Sequence, residues 1–229
     1  MLETDKPVVL VLANGRPLTL EWEDSQFSAI VEAWHGGSAA ARGLVDVLFG
    51  DVNPSGKLTM TFPKSVGQIP LYYAHKNTGR PLKEGKWFEK FRSNYLDVDN
   101  DALYPFGYGL SYTTFRFSDI TLNRSSIGMD NELVASVTVT NTGDRAGSEV
   151  VQLYIRDLVG SVTRPVKELK GFEKIYLQPN ESRTVRFTIA PEMLKFYNAD
   201  LKFVAEPGDF DVMIGPDSRN VKTARFTLR

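Results

Sequence analysis

The stretch Glu132-Leu-Val-Ala-Ser-Val-Thr-Val-Thr140 alternates between apolar and polar residues. Its apolar side chains fall at Leu133, Ala135, Val137 and Val139, which is the period of a β-strand with one buried face. A helix would instead place apolar residues three and four positions apart. The stretch therefore predicts a strand that contributes every second side chain to a core.

Four further segments downstream share this period of two. They are Glu149–Asp157, Val166–Leu177, Ser182–Ala190 and Asp209–Gly215. Turn residues separate them at Asn141-Thr-Gly143, Gln178-Pro-Asn180 and Pro207-Gly208. Roughly six or seven short strands in about 115 residues are typical of an immunoglobulin or fibronectin type III sandwich. We therefore predict a β-sandwich over residues 113–229.

The first half of the chain has a continuous apolar run instead of alternation. Pro7-Val-Val-Leu-Val-Leu-Ala13 precedes the turn Asn14-Gly15, which predicts a strand buried on both faces inside a covered sheet. Ser28–Trp34 predicts a second short strand. Ser38 is the predicted N-cap of a helix that runs to about Phe49 and stops at Gly50.

These elements, within residues 1–71, are too few to cover both faces of a sheet. Either the other strands are absent from this chain, or another copy of it supplies them. In both cases residues 1–60 would expose a large apolar patch, so we expect the isolated chain to self-associate. The predicted fold class is α+β multi-domain, with a partial α/β sandwich layer followed by an immunoglobulin/fibronectin type III-like β-sandwich.

Residues 72–112, called the connector below, are rich in aromatic side chains, glycine and charge. A simple linker would be rich in Pro, Ser and Gly and poor in large rings. A long loop with this much aromatic area is expected to pack against another part of the protein or to line a site.

Composition excludes several classes of function. The 27 basic and 28 acidic residues are spread along the chain, with no basic stripe for nucleic acid and no apolar run long enough to cross a membrane. Cysteine is absent, which excludes disulfides and thiolate chemistry. This absence is compatible with a periplasmic or secreted location. We expect that location for the longer protein, called the parent protein below, of which this chain would be a part. His35 and His75 lie far apart, so we expect no metal site.

Several strings, in order, resemble the β-glucosidase branch of glycoside hydrolase family 3. They include Pro7–Leu18, Ala33-Trp-His-Gly-Gly37, Phe62–Tyr73 and Arg164–Lys174. The most specific is Leu103-Tyr-Pro-Phe-Gly-Tyr-Gly-Leu-Ser-Tyr-Thr-Thr-Phe115. The resemblance covers the whole chain and implies the end of that family's α/β sandwich domain followed by its fibronectin type III-like domain.

The resemblance implies a retaining, exo-acting glycosidase that removes a terminal β-linked glucose or a related sugar. Such enzymes use a carboxylate nucleophile and a second carboxylic acid about 5–5.5 Å apart, and need no cofactor. In this family the nucleophile belongs to an N-terminal barrel domain, and the acid/base residue also precedes the strand at Pro7–Ala13. Neither maps onto this chain, so we expect the chain alone to be inactive and to need the barrel of the same protein as its partner.

The resemblance also places the connector near the seam between domains, at the mouth of the active site. Arg80, Trp87, Arg92 and Tyr95 are therefore the candidate substrate-binding residues, able to hydrogen-bond or stack against an aglycone sugar of an oligosaccharide or β-glucoside. The alternative is ordinary packing between domains. For Tyr104, Phe106, Tyr108 and Tyr112 packing between the two halves is the favoured interpretation.

Other polar and aromatic residues have two interpretations. Glu21, Glu23 and Asp24 are either an acid/base group or a solvated helix start. Asp46, Asp51 and Asn53 are either turn residues or a calcium site. Trp34 is either core or a sugar platform.

Two rival functions remain at this stage. A free-standing carbohydrate-binding or adhesion module would need only the sandwich. A scaffold would only dock to a catalytic part and stabilise it. The half-built N-terminal sheet counts against the free-standing module.

Overall fold

The computed structural model describes residues 6–82 and 86–229. The first half contains β1 (Val9–Leu12), α1 (Glu21–Gln26), β2 (Ala29–Glu32), α2 (Ala40–Leu48) and a 3-10 turn at Val66–Gln68. The second half contains β3 (Phe115–Phe117), β4 (Thr121–Leu122), β5 (Ser126–Ile127), β6 (Leu133–Asn141), β7 (Gly147–Asp157), β8 (Glu168–Leu177), β9 (Ser182–Ile189), a 3-10 turn at Pro191–Leu194, β10 (Phe196–Tyr197), β11 (Phe203–Val204), β12 (Gly208–Gly215) and β13 (Lys222–Leu228). The division at residues 71 and 112 stays a prediction.

Two sheets form the predicted β-sandwich. One has five strands in the order β5-β13-β12-β7-β8, and the other joins β9, β6, β3 and β4 around β6. The alternation in β6 is seen directly, because Leu133, Ala135, Val137 and Val139 are all buried. They pack with Val151, Leu153, Phe210 and Phe226 into one apolar core. Full burial of each large apolar side chain stabilises the fold by about 1.5–3 kcal/mol.

The first half contains a parallel two-stranded sheet, in which Val9 pairs with Ala29 and Leu12 with Glu32. Both strands lie where the sequence predicted them, but the predicted burial of β1 is wrong. The side chains of Val9 and Val11 are 43% and 37% exposed. The physical reason is that, among the residues described here, β2 is the only strand that pairs with β1.

The helix α2 was predicted correctly except at its start. Its N-cap is Ala39 rather than Ser38, and no side chain caps it. The chain makes a turn before the helix, where the Ala40 amide donates to the Gly37 carbonyl at 3.0 Å. The predicted stop is observed, since Gly50 adopts a φ of 83° just after the C-cap. Its apolar face is open to solvent, with Phe49 81% exposed.

In residues 6–82 and 86–229 there is no helix long and apolar enough to cross a membrane.

Candidate functional site

Gln68, which lies just before the connector, is a buried anchor for it. This side chain is fully buried, and its Oε1 accepts hydrogen bonds from the Lys64 and Ser65 amides at 2.7 and 3.3 Å. Its Nε2 donates to the Asp99 and Asp101 carbonyls at 2.9 and 3.1 Å. Lys64 also forms a 2.7 Å ion pair with Asp99. The far end of the connector is thereby held against the segment that precedes it.

Aromatic rings run from the α/β part into the connector. Trp34 lies 6.0 Å from Phe62, Phe62 lies 5.9 Å from Tyr104, and Tyr104 stacks on Tyr108 at 5.4 Å. The Tyr104 hydroxyl donates to Asp24 at 2.5 Å. Burial, reinforced by the Asp24 carboxylate, raises the pKa of Tyr104. This series joins α1 and β2 to the connector through packing.

A second aromatic group joins the connector to the sandwich. Phe106 stacks on Tyr73 at 4.4 Å, and Tyr73 meets Tyr154 of β7 edge-to-face at 5.8 Å. Burial and the neighbouring Tyr73 raise the pKa of Tyr154, so its hydroxyl stays protonated. The predicted packing role of Phe106 is confirmed.

Gly107 fits against Gln152 because it has no side chain. Its φ is 80°, and a Cβ at this position would overlap the Gln152 amide. Gln152 Nε2 donates to the Gly107 and Pro216 carbonyls at 3.1 and 2.5 Å, while its Oε1 accepts from the Tyr154 hydroxyl at 2.6 Å. Close packing on β7 therefore requires glycine at position 107.

Polar contacts join the α/β part directly to the sandwich. Lys57 forms a 2.7 Å ion pair with Glu149, and both side chains are nearly buried. Asn53 donates to the Ala146 carbonyl at 3.0 Å and accepts from the Tyr112 amide at 2.8 Å. The Tyr112 hydroxyl donates to the Val47 carbonyl at 2.6 Å. The packing role predicted for Tyr112 is thus observed. Asn53 connects the α/β part to both the sandwich and the connector, a role that was not predicted from the sequence.

Three of the four candidate substrate-binding residues lie close together around Ser93. The Ser93 amide donates to the Arg80 carbonyl at 2.9 Å, Arg92 precedes Ser93, and Tyr95 lies two residues on. Arg92 forms a 3.1 Å ion pair with Glu89, and the Tyr95 hydroxyl donates to the Gln68 carbonyl at 3.1 Å. Trp87 is 61% exposed. Residues 83–85 of the connector lie outside the described residues.

A groove of about 940 Å³, called the connector groove, lies between the connector and the outer face of the five-stranded sheet. Tyr72, Tyr73 and Tyr95 line it from the connector, and Arg156 and Met213 from the sheet. This volume is within the range of small-molecule sites. Of the four candidates only Tyr95 lines it; Arg80, Trp87 and Arg92 lie on the exposed side of the connector.

The positions of the remaining polar and aromatic candidates favour structural roles for most of them. Glu21, Glu23 and Asp24 occupy the first turn of α1, as the helix-start interpretation predicted. Asp46 lies in α2 and pairs with Arg42 at 2.7 Å, which favours a structural role over a calcium site. Trp34 is half-buried against Phe62. His35 and His75 are exposed. No cluster of three metal-ligating side chains occurs among the described residues.

Two family models match the chain. Residues 1–112 match the glycosyl hydrolase family 3 C-terminal domain, and residues 149–218 match the fibronectin type III-like domain. The two matches fall on the α/β part with the connector, and on the sandwich, respectively.

Named relatives resemble the chain over nearly its whole length. A periplasmic β-glucosidase of Salmonella typhimurium is 56% identical and covers 98% of this chain. A β-xylosidase of Formosa agariphila is 43% identical and covers 99%. The crystal structure of a β-glucosidase from Listeria innocua in complex with glucose is 43% identical, covers 99% of the chain and superposes with a TM-score of 0.95. The chain spans 29%, 31% and 31% of these three proteins, respectively.

Proposed function

The chain belongs to glycoside hydrolase family 3, and from that premise we propose that it is the C-terminal part of a retaining, exo-acting β-glucosidase. The parent protein would hydrolyse a terminal β-linked glucose or a related sugar. The relatives named β-glucosidase and β-xylosidase support this substrate class. The observation that carries the proposal is the match of the whole chain to a third or less of each relative's length.

The open face of the α/β part supports docking to an N-terminal catalytic barrel. Val9 and Val11 of β1 and Val45, Leu48 and Phe49 of the α2 region are exposed. Several exposed large apolar side chains in one part of a chain are typical of an interface between domains. A free-standing binding module would have no use for it. In the absence of the barrel, the same surface would bind a second copy of the chain.

Complementation tests the proposal directly. The Salmonella β-glucosidase is produced without the segment that matches this chain, and the two parts are mixed. We expect each part alone to leave nitrophenyl β-glucoside uncleaved and the mixture to cleave it. Saccharide binding by this chain with no recovery of cleavage would contradict the proposal and favour the rival module.

We further propose that Arg80, Trp87, Arg92 and Tyr95 contact the aglycone sugar. Their support is position, because Trp87 is exposed on the connector while Gln68 and Gln152 hold the C-terminal part of the connector, at Asp99, Asp101 and Gly107. An exposed indole can stack on the apolar C–H face of a pyranose. In the complemented enzyme, Trp87→Ala should raise KM for a β-linked disaccharide about three- to tenfold, as expected for loss of about 1 kcal/mol of stacking.

Tyr197→Ala is the matched control, since Tyr197 is 67% exposed on the sandwich. It should leave KM unchanged. Equal KM values for the Trp87 variant and the unmodified enzyme would refute the contact, leaving packing as the role of this segment.

For location we propose the periplasm or the cell exterior. The support is the periplasmic Salmonella relative at 56% identity. Fractionation of the native host with an antibody to this chain tests this, and recovery in the cytoplasm would contradict it.

A further inference from the structure

Arg156 stands on the outer face of the five-stranded sheet, at the floor of the connector groove. Its cross-strand partner is Asp211 of β12, whose own partner on β13 is Arg225. Directly opposite residues in a ladder point to the same face, so the three side chains form one row. Arg225 donates to Asp211 through Nε at 2.8 Å and through Nη2 at 3.4 Å.

Arg225 holds the carboxylate of Asp211, so among the described residues no carboxylate is paired with Arg156. Among residues 6–82 and 86–229, no hydrogen bond or ion pair reaches the Arg156 guanidinium, although the residue is half-buried. A guanidinium keeps its charge at all accessible pH values and presents five N–H donors. Removing such a group from water without a partner is unfavourable. Within the part of the chain that the structure describes, the positive charge of Arg156 therefore lacks a neutralising anion.

The charge of the connector groove points the same way. Five Lys and Arg side chains line the described part of it, against the two carboxylates Asp101 and Asp211, one of which is already neutralised. Low-dielectric walls concentrate this positive field on a bound group. An anionic ligand is favoured over a neutral or cationic one.

The other lining groups suit a saccharide. Asn77 offers an amide donor and acceptor for hydroxyl groups, Tyr72 offers a ring and a phenol, and Tyr95 offers a ring. The Asn100 amide donates to the Ser93 carbonyl at 2.9 Å, and its oxygen can accept from a sugar hydroxyl. A uronic acid combines hydroxyls, an apolar C–H face and a carboxylate that a guanidinium can bind through two hydrogen bonds. We propose that the connector groove binds an oligosaccharide bearing a uronic-acid residue, with Arg156 pairing to its carboxylate. This site goes beyond the proposed glucosidase activity and does not depend on it.

Calorimetric titration of the full 229-residue chain tests the site. The probes are xylotriose carrying one glucuronic-acid branch and unbranched xylotriose. We expect the acidic probe to bind at least tenfold more tightly, and its affinity to fall as salt is raised because the charge interaction is screened. Arg156→Gln should weaken it by about tenfold or more, which is the range for hydrogen bonds to a charged group.

Arg186→Gln is the control, since Arg186 is an exposed arginine on the other sheet, and it should leave binding unchanged. If Arg156→Gln does not fold, Arg156→Lys can replace it. This variant keeps the positive charge but cannot bind a carboxylate through two parallel hydrogen bonds, so it should still weaken binding severalfold. Equal affinity for the two probes, no binding of the acidic probe at millimolar concentration, or unchanged binding in the Arg156 variant would overturn the proposal. So would equal affinity for inorganic sulfate or a glutamate-rich peptide, which would make the groove a general anion site.

Discussion

Gln152 ties the sandwich to the connector through its hydrogen bond to the Gly107 carbonyl. Two further hydrogen bonds, with Pro216 and Tyr154, fix its side chain within the sandwich. Gln152→Leu leaves the Gly107 and Pro216 carbonyls and the Tyr154 hydroxyl without this partner. An unsatisfied buried polar group costs about 1–3 kcal/mol, so we expect a loss of about 2–4 kcal/mol in the free energy of unfolding. Urea unfolding of the variant and of the unmodified chain measures this loss. The exposed Gln178→Leu should change stability by less than about 0.5 kcal/mol. A Gln152 variant as stable as the Gln178 variant would show that the connector is held by packing alone.

Asp157 makes stability depend on pH in the acid range. Burial raises its pKa above the ordinary 3.8, and this outweighs the opposing effect of Arg164, whose Nε lies 3.6 Å away. The folded state therefore keeps a proton at pH values where the unfolded state has lost it. The contribution of Asp157 to the free energy of unfolding is then largest at low pH and falls as pH rises from the unfolded pKa through the folded one.

The comparison with Asp157→Asn isolates this contribution, because the neighbouring carboxylates of Glu168 and Glu206 are present in both proteins. The free energy of unfolding of the unmodified chain minus that of the variant should fall as the pH rises above the ordinary aspartate pKa of 3.8. Urea unfolding at several pH values gives this difference. A difference that rises with pH would mean that the ion pair with Arg164 outweighs burial.

At the scale of elements, the turn at Gly107 fixes how the connector enters the sandwich. Gly107→Ala must adopt a φ of 80° and displace the Gln152 amide. We expect a loss of about 2–3 kcal/mol, from left-handed strain of about 1 kcal/mol or more together with the disrupted hydrogen bonds. Gly79→Ala is the control in the same connector, because nothing lies within 4 Å of its added Cβ. Thermal unfolding followed by near-UV circular dichroism compares them; equal midpoints would refute the proposed packing constraint.

Most of the long strands could be predicted from the sequence, whereas the exposure of β1 could not. The period of two in β6 through β9 and in β12 is a local property, so the strands were found within a few residues. β13 was missed although Ala224, Phe226 and Leu228 alternate in it, because its seven residues give only three apolar positions. The exposure of β1 was not predicted because burial depends on neighbouring strands, and the apolar run itself says only that the strand favours a covered position.

The candidate site was predicted less well than the fold. The aromatic residues of the connector predicted a packed loop, and Tyr104, Phe106 and Tyr112 pack as expected. Gln68 and Gln152 were missed, since a glutamine carries no local signal for burial and the carbonyls to which its amide donates lie 31 to 64 residues away. Tertiary contacts alone give these two residues their role.

At the scale of the whole molecule, the open α/β face should make the isolated chain self-associate. Sedimentation velocity should show a weight-average sedimentation coefficient that rises with concentration. Phe49→Asp introduces a charge where the side chain is 81% exposed and should shift the chain towards monomer. Leu201→Asp is the control, because Leu201 is equally exposed on the sandwich. A chain that is monomeric at all concentrations would rule out this surface as a binding face for a second copy.

The central claim is that β1 belongs inside a larger sheet whose remaining part is supplied by the N-terminal portion of a family 3 enzyme. Amide hydrogen exchange of Val9–Leu12 tests it, measured for the chain alone and after mixing with the truncated Salmonella β-glucosidase. The claim predicts rapid exchange alone, strong protection in the mixture, and unchanged exchange in Leu133–Asn141. Equal exchange of Val9–Leu12 in both samples, with complex formation verified independently, would contradict it.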